Sequence, residues 1–362
     1  MFSIDSLRGR NCGIWRYAEA LGIDDPANIV TIGEGSTPLV GARFAGREIY
    51  FKHDYLCPTG SYKDRGAAVM LSKLKEWRVP ELIEDSSGNA GAAVAAYAAL
   101  AGIKANIYVP ANASAGKLTQ IERYGAALVR IPGSREATTA AAMAAAETVF
   151  YASHNWSPYF VAGLKTAAYE IAEQMSWVSP DWIVTPVGGG NLLVGLYEGF
   201  REMVEYGIVS STPRLAAVQA ANCAPVDAAW RAGLNEAAPI VKKDTAAEGI
   251  ATAKPVRGRE ILSSIRASNG VTSTVGEDEI WEAFAALARL GIYVEPTAAA
   301  APAALSGLIA NGTIAESDRV VVLLSGSGLK ATDKIMEHVQ LQAAQAAECS
   351  VREEPALKDT VR

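Results

Sequence analysis

Short apolar runs recur along the chain, and helix-forming segments separate most of them. EIYFK (48–52), ANIYV (105–109), ALVRI (127–131), WIVTPV (182–187), RLAAVQ (214–219) and VVVLLS (320–325) read as buried strands. The stretches 64–78, 89–101, 114–124, 135–148, 163–176 and 277–290 read as helices. Strands alternating with helices build βαβ units, which assemble into parallel sheets with helices on both faces. Such α/β folds bind ligands outside the C-terminal ends of their strands. Functional residues are therefore expected in strand-to-helix loops. The chain has 362 residues, half of them hydrophobic, which is more than one compact core usually holds. Two domains are expected.

Several function classes are disfavoured at once. Net charge is −6, and no block of Lys and Arg stands out. That argues against a nucleic-acid surface while leaving room for a local basic pocket that takes a small anion. The opening MFSIDSLRGRNC lacks the apolar core of a secretory signal. AGAAVAAYAALAG is too short and too rich in Ala and Gly for a membrane span, and reads as a closely packed helix. Cys12, Cys57, Cys223 and Cys349 show no CxxC spacing, and the histidines are His53, His154 and His338 alone. No metal site is expected, and the cysteines suit a reducing, cytoplasmic setting. The polar stretch after about 341, ending REEPALKDTVR, is expected to be peripheral.

Four loops could carry chemistry. In CPTGSYKDRG (57–66), Pro58-Thr59-Gly60 is turn chemistry, and Ser61 or Asp64 can cap a helix from about 64. Lys63 then sits at the positive end of the helix dipole, which disfavours an ammonium and suits an amine that forms Schiff bases. The plain alternative is a surface lysine paired with Asp64. In DSSGNAG (85–91), Ser86, Ser87, Asn89 and the N–H groups of a helix start make a nest for a carboxylate, or else an ordinary N-cap turn. In VGGGNLL (187–193), Gly188, Gly189 and Gly190 let backbone amides approach a phosphate, and the next helix points its positive end there. The pattern is neither GxGxxG nor GxxxxGK[ST], so a phosphate monoester fits better than a dinucleotide or a nucleoside triphosphate. In LLSGSGLK (323–330), Ser325 presents a hydroxyl at a strand's C-terminal end, unless its serines merely cap a helix.

Taken together, the loops offer an imine-forming lysine, a phosphate cup, a carboxylate nest and a neutral hydroxyl. One cofactor needs all of these: pyridoxal 5′-phosphate. His53 and His154 are the histidines that could reach such a site.

The same residues resemble the threonine synthase and serine/threonine dehydratase group of pyridoxal-phosphate enzymes. GEGSTPL (33–39), PTGSYKDRG (58–66), SSGNAG (86–91), GLKTAAYEIAEQM (163–175), PVGGGN (186–191), VEPTAAA (294–300) and SGSGLK (325–330) follow that group's order, and GIWRY (13–17) points towards threonine synthases. The resemblance implies the two-domain α/β fold of the tryptophan synthase β type. The smaller domain would span 50–160 and the larger one 1–49 and 161–340, with the cofactor in the cleft and a homodimer as the family's habit. It implies that Lys63 holds the cofactor and shuttles the substrate's Cα proton, and that Asn89 bonds the ring's 3-oxygen. Gly188, Gly189, Gly190 and Asn191 would cradle the phosphate. Ser325 would meet the ring nitrogen, and Ser86 and Ser87 would take the α-carboxylate of an amino-acid substrate.

This chain also departs from the group. Threonine synthases read Asn-Pro-Tyr-Arg ahead of Glu-Gly-Gln-Lys-Thr, where HNWSPYFVAGLKT (154–166) has Phe160 for the arginine and Ala162 for the glutamate. EGIATAKPVRG (248–258) replaces another family stretch, Cys57 replaces an asparagine, and GSGLKA replaces GHGLKD. An arginine holding a phosphate dianion is a strong charge-assisted contact. Either Lys117, Arg123, Lys254 or Arg257 replaces it, or the substrate is not O-phosphohomoserine. The expected activity is a threonine synthase-like carbon–oxygen lyase. The alternatives are a serine/threonine ammonia-lyase or a β-replacement enzyme on an activated serine, with a non-catalytic cofactor-binding protein as a distant third.

Overall fold

A computed structural model describes residues 1–352, apart from the side chains of Ala115, Lys117 and residues 345–352. Its strands are β1 (Leu39–Phe44), β2 (Arg47–Lys52), β3 (Glu81–Glu84), β4 (Lys104–Pro110), β5 (Ala127–Ile131), β6 (Phe150–Tyr151), β7 (Trp182–Pro186), β8 (Arg214–Ala220), β9 (Val271–Val275) and β10 (Val320–Leu323). They form a six-stranded sheet in the order β1-β2-β10-β7-β8-β9 and a four-stranded sheet in the order β5-β4-β3-β6. All neighbours run parallel except β1 and β2, a hairpin turning through Ala45 and Gly46 at φ 48° and 82°. Two successive positive φ values match the twist that a two-residue hairpin requires. The fold is α/β.

All six expected strands are present to within a residue or two. β1, β3, β6 and β9 are not among them: β3 has only the short apolar segment ELI, β6 has two residues, and β9 reads VTSTV and is mostly half-buried. The helix expected over 163–176 begins earlier, at Pro158, because Ser157 accepts a hydrogen bond from the Phe160 N–H and proline suits the first turn. The stretch expected to be peripheral after 341 continues the helix Thr332–Arg352 as far as it is described.

The four-stranded sheet packs against the helices Lys63–Glu76 and Asn89–Ala101 through Leu71, Leu82, Val94 and Ile107. One face of the six-stranded sheet packs on Pro158–Gln174 and Asn191–Glu205, and the other on Glu277–Arg289 and Pro296–Ala303. Two helices meet almost backbone to backbone. A Cβ on Gly163 would lie 2.0 Å from the Arg65 carbonyl oxygen, and one on Gly66 would lie 2.5 Å from the Phe160 ring.

At that crossing a group of charges is wholly buried. Glu170 accepts from both terminal nitrogens of Arg65 at 2.7 Å and from Lys52 Nζ at 2.7 Å, while Asp54 accepts from Arg65 Nε at 2.9 Å. The Ser36 N–H also donates to Glu170, at 2.7 Å, which joins the GEGSTPL segment to the same group. Two cations face two carboxylates, so the cluster is neutral.

Candidate active site

Lys63 is the first residue of its helix, directly after the turn Pro58–Tyr62. Its Nζ donates to the Tyr62 hydroxyl at 2.7 Å and lies 5.9 Å from the centre of the Phe160 ring. Asp64 is not its partner. The Asp64 carboxyl is buried and accepts from the Thr59 N–H at 2.6 Å, and burial raises its pKa to about 7. Ser61 does not cap the helix either, because its hydroxyl is buried without a partner among the described residues.

The Ser325 loop is hydrogen-bonded to the lysine turn. The Tyr62 N–H donates to the Ser325 carbonyl at 3.0 Å, and the Ser327 N–H to the Gly60 carbonyl at 2.9 Å. Ser325 is 2% exposed, and its hydroxyl has no partner among the described residues. An orphaned buried hydroxyl costs about 1–3 kcal/mol, so its presence points to a ligand atom.

The glycine loop follows β7 and opens the helix Asn191–Glu205. A Cβ on Gly188 would lie 2.8 Å from Ile250 Cα, on Gly189 2.8 Å from Asn155 Oδ1, and on Gly190 2.2 Å from Ile261. Gly190 also has φ 85°, which glycine adopts without strain. The Asn191 side chain is engaged on both sides: it donates to the His154 carbonyl at 3.0 Å and accepts from Arg257 Nε at 3.0 Å.

Ser86 and Ser87 are half-buried between β3 and the helix Asn89–Ala101, where Ser86 Oγ accepts from the Gly88 N–H at 3.3 Å. Asn89 Nδ2 donates to both oxygens of Glu295, at 3.2 and 3.1 Å. A Cβ on Gly326 would overlap that carboxylate, so Asn89, Glu295 and the Ser325 loop converge. Glu295 does not stand out in the sequence, although VEPTAAA contains it.

Phe160 is fully buried and packs edge-on against His154, with ring centres 5.8 Å apart. His154 Nδ1 lies 2.6 Å from Oε1 of the fully buried Glu84. His53 pairs with the Tyr55 hydroxyl at 3.2 Å rather than with the lysine turn. Of the cations proposed for a substrate phosphate, Arg123 and Lys254 are exposed, and Lys117 lies outside the described side chains. Arg257 reaches the site's rim through Asn191 and the Trp156 carbonyl. Lys330, missed in the sequence, packs over Gly60 and donates to Gln120, and burial lowers its pKa.

Lysine, orphaned hydroxyl and glycine cup suit pyridoxal phosphate: an amine for its aldehyde, a neutral partner for its ring nitrogen and a helix N-terminus for its phosphate. Residues 30–326 match the family model described as "Pyridoxal-phosphate dependent enzyme". The threonine synthase of Methanocaldococcus jannaschii is 34% identical over 91% of this chain and 84% of its own length. That of Methanosarcina acetivorans is 34% identical over 92% of this chain and 84% of its own. Among solved structures, a threonine deaminase from T.th. is 27% identical with a TM-score of 0.68, covering 80% of this chain and 92% of its own. Maize serine racemase, 24% identical with a TM-score of 0.72 over 90% and 94%, shares the fold. The chain belongs to the pyridoxal-phosphate dependent enzymes and is a lyase of that family.

Proposed function

We propose that the protein is a threonine synthase-like enzyme, which eliminates phosphate from O-phosphohomoserine and adds water to give threonine. The observation that carries this is the likeness to threonine synthases over about nine-tenths of the chain. The segment GIWRY supports it, because it is built into the fold beside the site. The Gly13 N–H donates to Ser36 Oγ at 2.6 Å, Trp15 Nε1 donates to Glu34 at 2.9 Å, and Tyr17 donates to Glu173 at 2.6 Å. GIWRY and GEGSTPL thus close on each other and on the helix that carries Phe160.

In this reading Lys63 holds the cofactor through its amine and later takes the substrate's Cα proton. Ser86, Ser87 and the helix start behind them hold the α-carboxylate. Gly188, Gly189, Gly190 and Asn191 hold the cofactor phosphate, Asn89 faces the ring oxygen, and Ser325 faces the ring nitrogen. When bound, pyridoxal phosphate supplies the sink for the electrons released at Cα. A neutral hydroxyl at the ring nitrogen leaves that sink weaker than a carboxylate would, which suits elimination and replacement. Phe160 shapes the pocket where the family has arginine, and Arg257 is the cation best placed to answer the substrate phosphate. In this reading the smaller domain is 50–160 and the larger 1–49 with 161–340; the four-stranded sheet between Glu81 and Tyr151 supports the first, although the bound at 50 falls inside β2. The net charge and cysteine pattern suit a cytoplasmic enzyme of small molecules, working as a homodimer.

A second reading rests on Phe160 and Ala162. A buried aromatic ring stands where a phosphate-binding arginine would be, which favours a serine/threonine ammonia-lyase or β-replacement on an activated serine. The deciding experiment offers O-phosphohomoserine, O-phosphoserine, serine and threonine separately. Phosphate release with threonine formed is the expected result. Keto acid from serine or threonine, without turnover of O-phosphohomoserine, would sink the first reading. Lys63→Ala should abolish the imine absorbance band, and a band that survives would refute the assignment of Lys63.

A further inference from the structure

We propose that Glu84 and His154 form a proton-relay pair serving the leaving group at the Lys63 site, with His154 as the acid and Glu84 as the positioning residue behind it. The inference rests on the lyase reading but concerns residues to which that reading gives no role.

β3 and β6 are parallel neighbours, so their C-terminal ends deliver Glu84 and His154 to one sheet edge. The carboxyl is doubly engaged. Oε2 accepts the His154 N–H at 3.0 Å, and Oε1 meets ring Nδ1 at 2.6 Å. Glu84 is fully buried, and with Nδ1 engaged by it, Nε2 is the ring nitrogen of His154 left for a reacting group; 11% of the side chain is exposed. The surroundings of His154 are those of the site. Its carbonyl accepts from Asn191, Asn155 lies against Gly189, and its ring packs on Phe160, which Lys63 Nζ also approaches. Two residues beyond Glu84 begin Ser86 and Ser87. The pair therefore stands among the glycine cup, the carboxylate nest and the lysine.

The charged and titratable groups facing the pair are Lys63, Arg135, Asp85 and the Tyr151 phenol. Burial, and then Asp85, drives the Glu84 carboxyl well above the usual carboxylate range. Burial, and then Lys63, holds the His154 imidazolium well below its ordinary range. At rest both groups are neutral, with one proton on the Glu84 carboxyl, accepted by Nδ1, and one on Nε2.

In elimination the bond from carbon to the leaving oxygen breaks with its electron pair on oxygen, and the Nε2 proton moves to that oxygen. The Glu84 proton crosses to Nδ1. The ring stays neutral and Glu84 becomes a carboxylate. Lys63 becomes an ammonium by taking the proton from the carbon next to the one that loses oxygen (Cα for departure from Cβ, Cβ for departure from Cγ), whose electron pair forms the new C=C bond. A negative charge thus forms near a new positive one. Addition of water runs the relay backwards: Nε2 takes a proton from water, and Nδ1 returns its own to Glu84. An alkyl phosphate dianion leaving unprotonated would depart as the strongly basic trianion, so an acid at this place is useful.

The test compares wild type, His154→Gln and Glu84→Gln as holoenzymes. Exchange of the substrate Cα proton into D₂O should stay within about threefold of wild type, because Lys63 performs it. Phosphate release should fall by about 10²–10⁴-fold in His154→Gln, the usual contribution of a general acid. Two readouts need no turnover. Nitrogen-15 histidine spectra of wild type should show His154 as the neutral Nε2–H form at pH 7, and infrared spectra should show a protonated carboxyl band that Glu84→Gln removes. An imidazolium at pH 7, a missing carboxyl band, or exchange lost in parallel with release would each overturn the relay. If O-phosphohomoserine is not turned over, the same comparison on serine or threonine elimination tests the relay separately. If none of these is turned over, the spectra decide.

Discussion

Glu170→Gln should cost the fold several kcal/mol while changing a side chain that no substrate is expected to touch. Glu170 accepts from Arg65, Lys52 and the Ser36 N–H, all at 2.7 Å, and the two cations are out of reach of water. A glutamine leaves two buried cations facing one carboxylate, Asp54, and turns an NH₂ group towards donors. Breaking a buried pair from one side typically costs about 3–5 kcal/mol. Titration gives an independent measure. Burial alone would raise the Glu170 pKa, but Arg65 and Lys52 hold it down to about 2 from an ordinary 4.5. At about 1.36 kcal/mol per unit, that is roughly 3.4 kcal/mol. The depressed pKa means this stability is fully present above about pH 4.5 and is lost as pH falls through about 2. Urea unfolding at pH 7 should therefore separate wild type from Glu170→Gln by about 3–5 kcal/mol, with a gap that closes towards pH 2. A gap below about 1 kcal/mol at pH 7, or one that ignores pH, would refute the account of this cluster.

Three other changes test separate features. Gly163→Ala places a methyl 2.0 Å from a backbone oxygen, so the two helices must part, and the denaturant midpoint should fall by the equivalent of about 3 kcal/mol or more. Gly190→Ala forces a non-glycine residue to φ 85° against Ile261; it should destabilise by about 1–3 kcal/mol and weaken cofactor retention, read as absorbance after dialysis. Ser325→Ala removes an orphaned buried hydroxyl, so the cofactor-free protein should be as stable as wild type or more stable. The cofactor should nevertheless dissociate more readily, and unchanged retention would deny Ser325 its role.

The sequence revealed most about groups that work through their own neighbours. Glycines after an apolar run marked the turn after β7, and the strands rich in Val and Ile announced themselves. Features built from distant parts of the chain were hidden. Asn89 meets Glu295 across 206 residues, and Arg65 meets Glu170 across 105, distances at which no local pattern indicates a partner. Glu84 and His154 are invisible as a pair for the same reason, although His154, like His53, stands out as a histidine able to reach the site. Adjacency in sequence suggests Asp64 as the partner of Lys63 but says nothing of direction: the turn at Thr59 claims its carboxylate. β9 escapes notice because a strand of Thr, Ser and Val looks like a loop when apolar content is the guide.

The buried charges have a bearing on how the chain acquires its chemistry. Lys63 lies two residues from Arg65, and the buried cations Arg65 and Lys52 are neutralised only when Asp54 and the much later Glu170 are both present. Loop closure over such a separation is slow compared with forming a helix. During synthesis, a chain that has not yet reached Glu170 holds Arg65 and Lys52 with half their joint counter-charge, and the start of the lysine's helix lacks one of its anchors. The reactive amine is thus set in place late, after both sheets have their connecting helix.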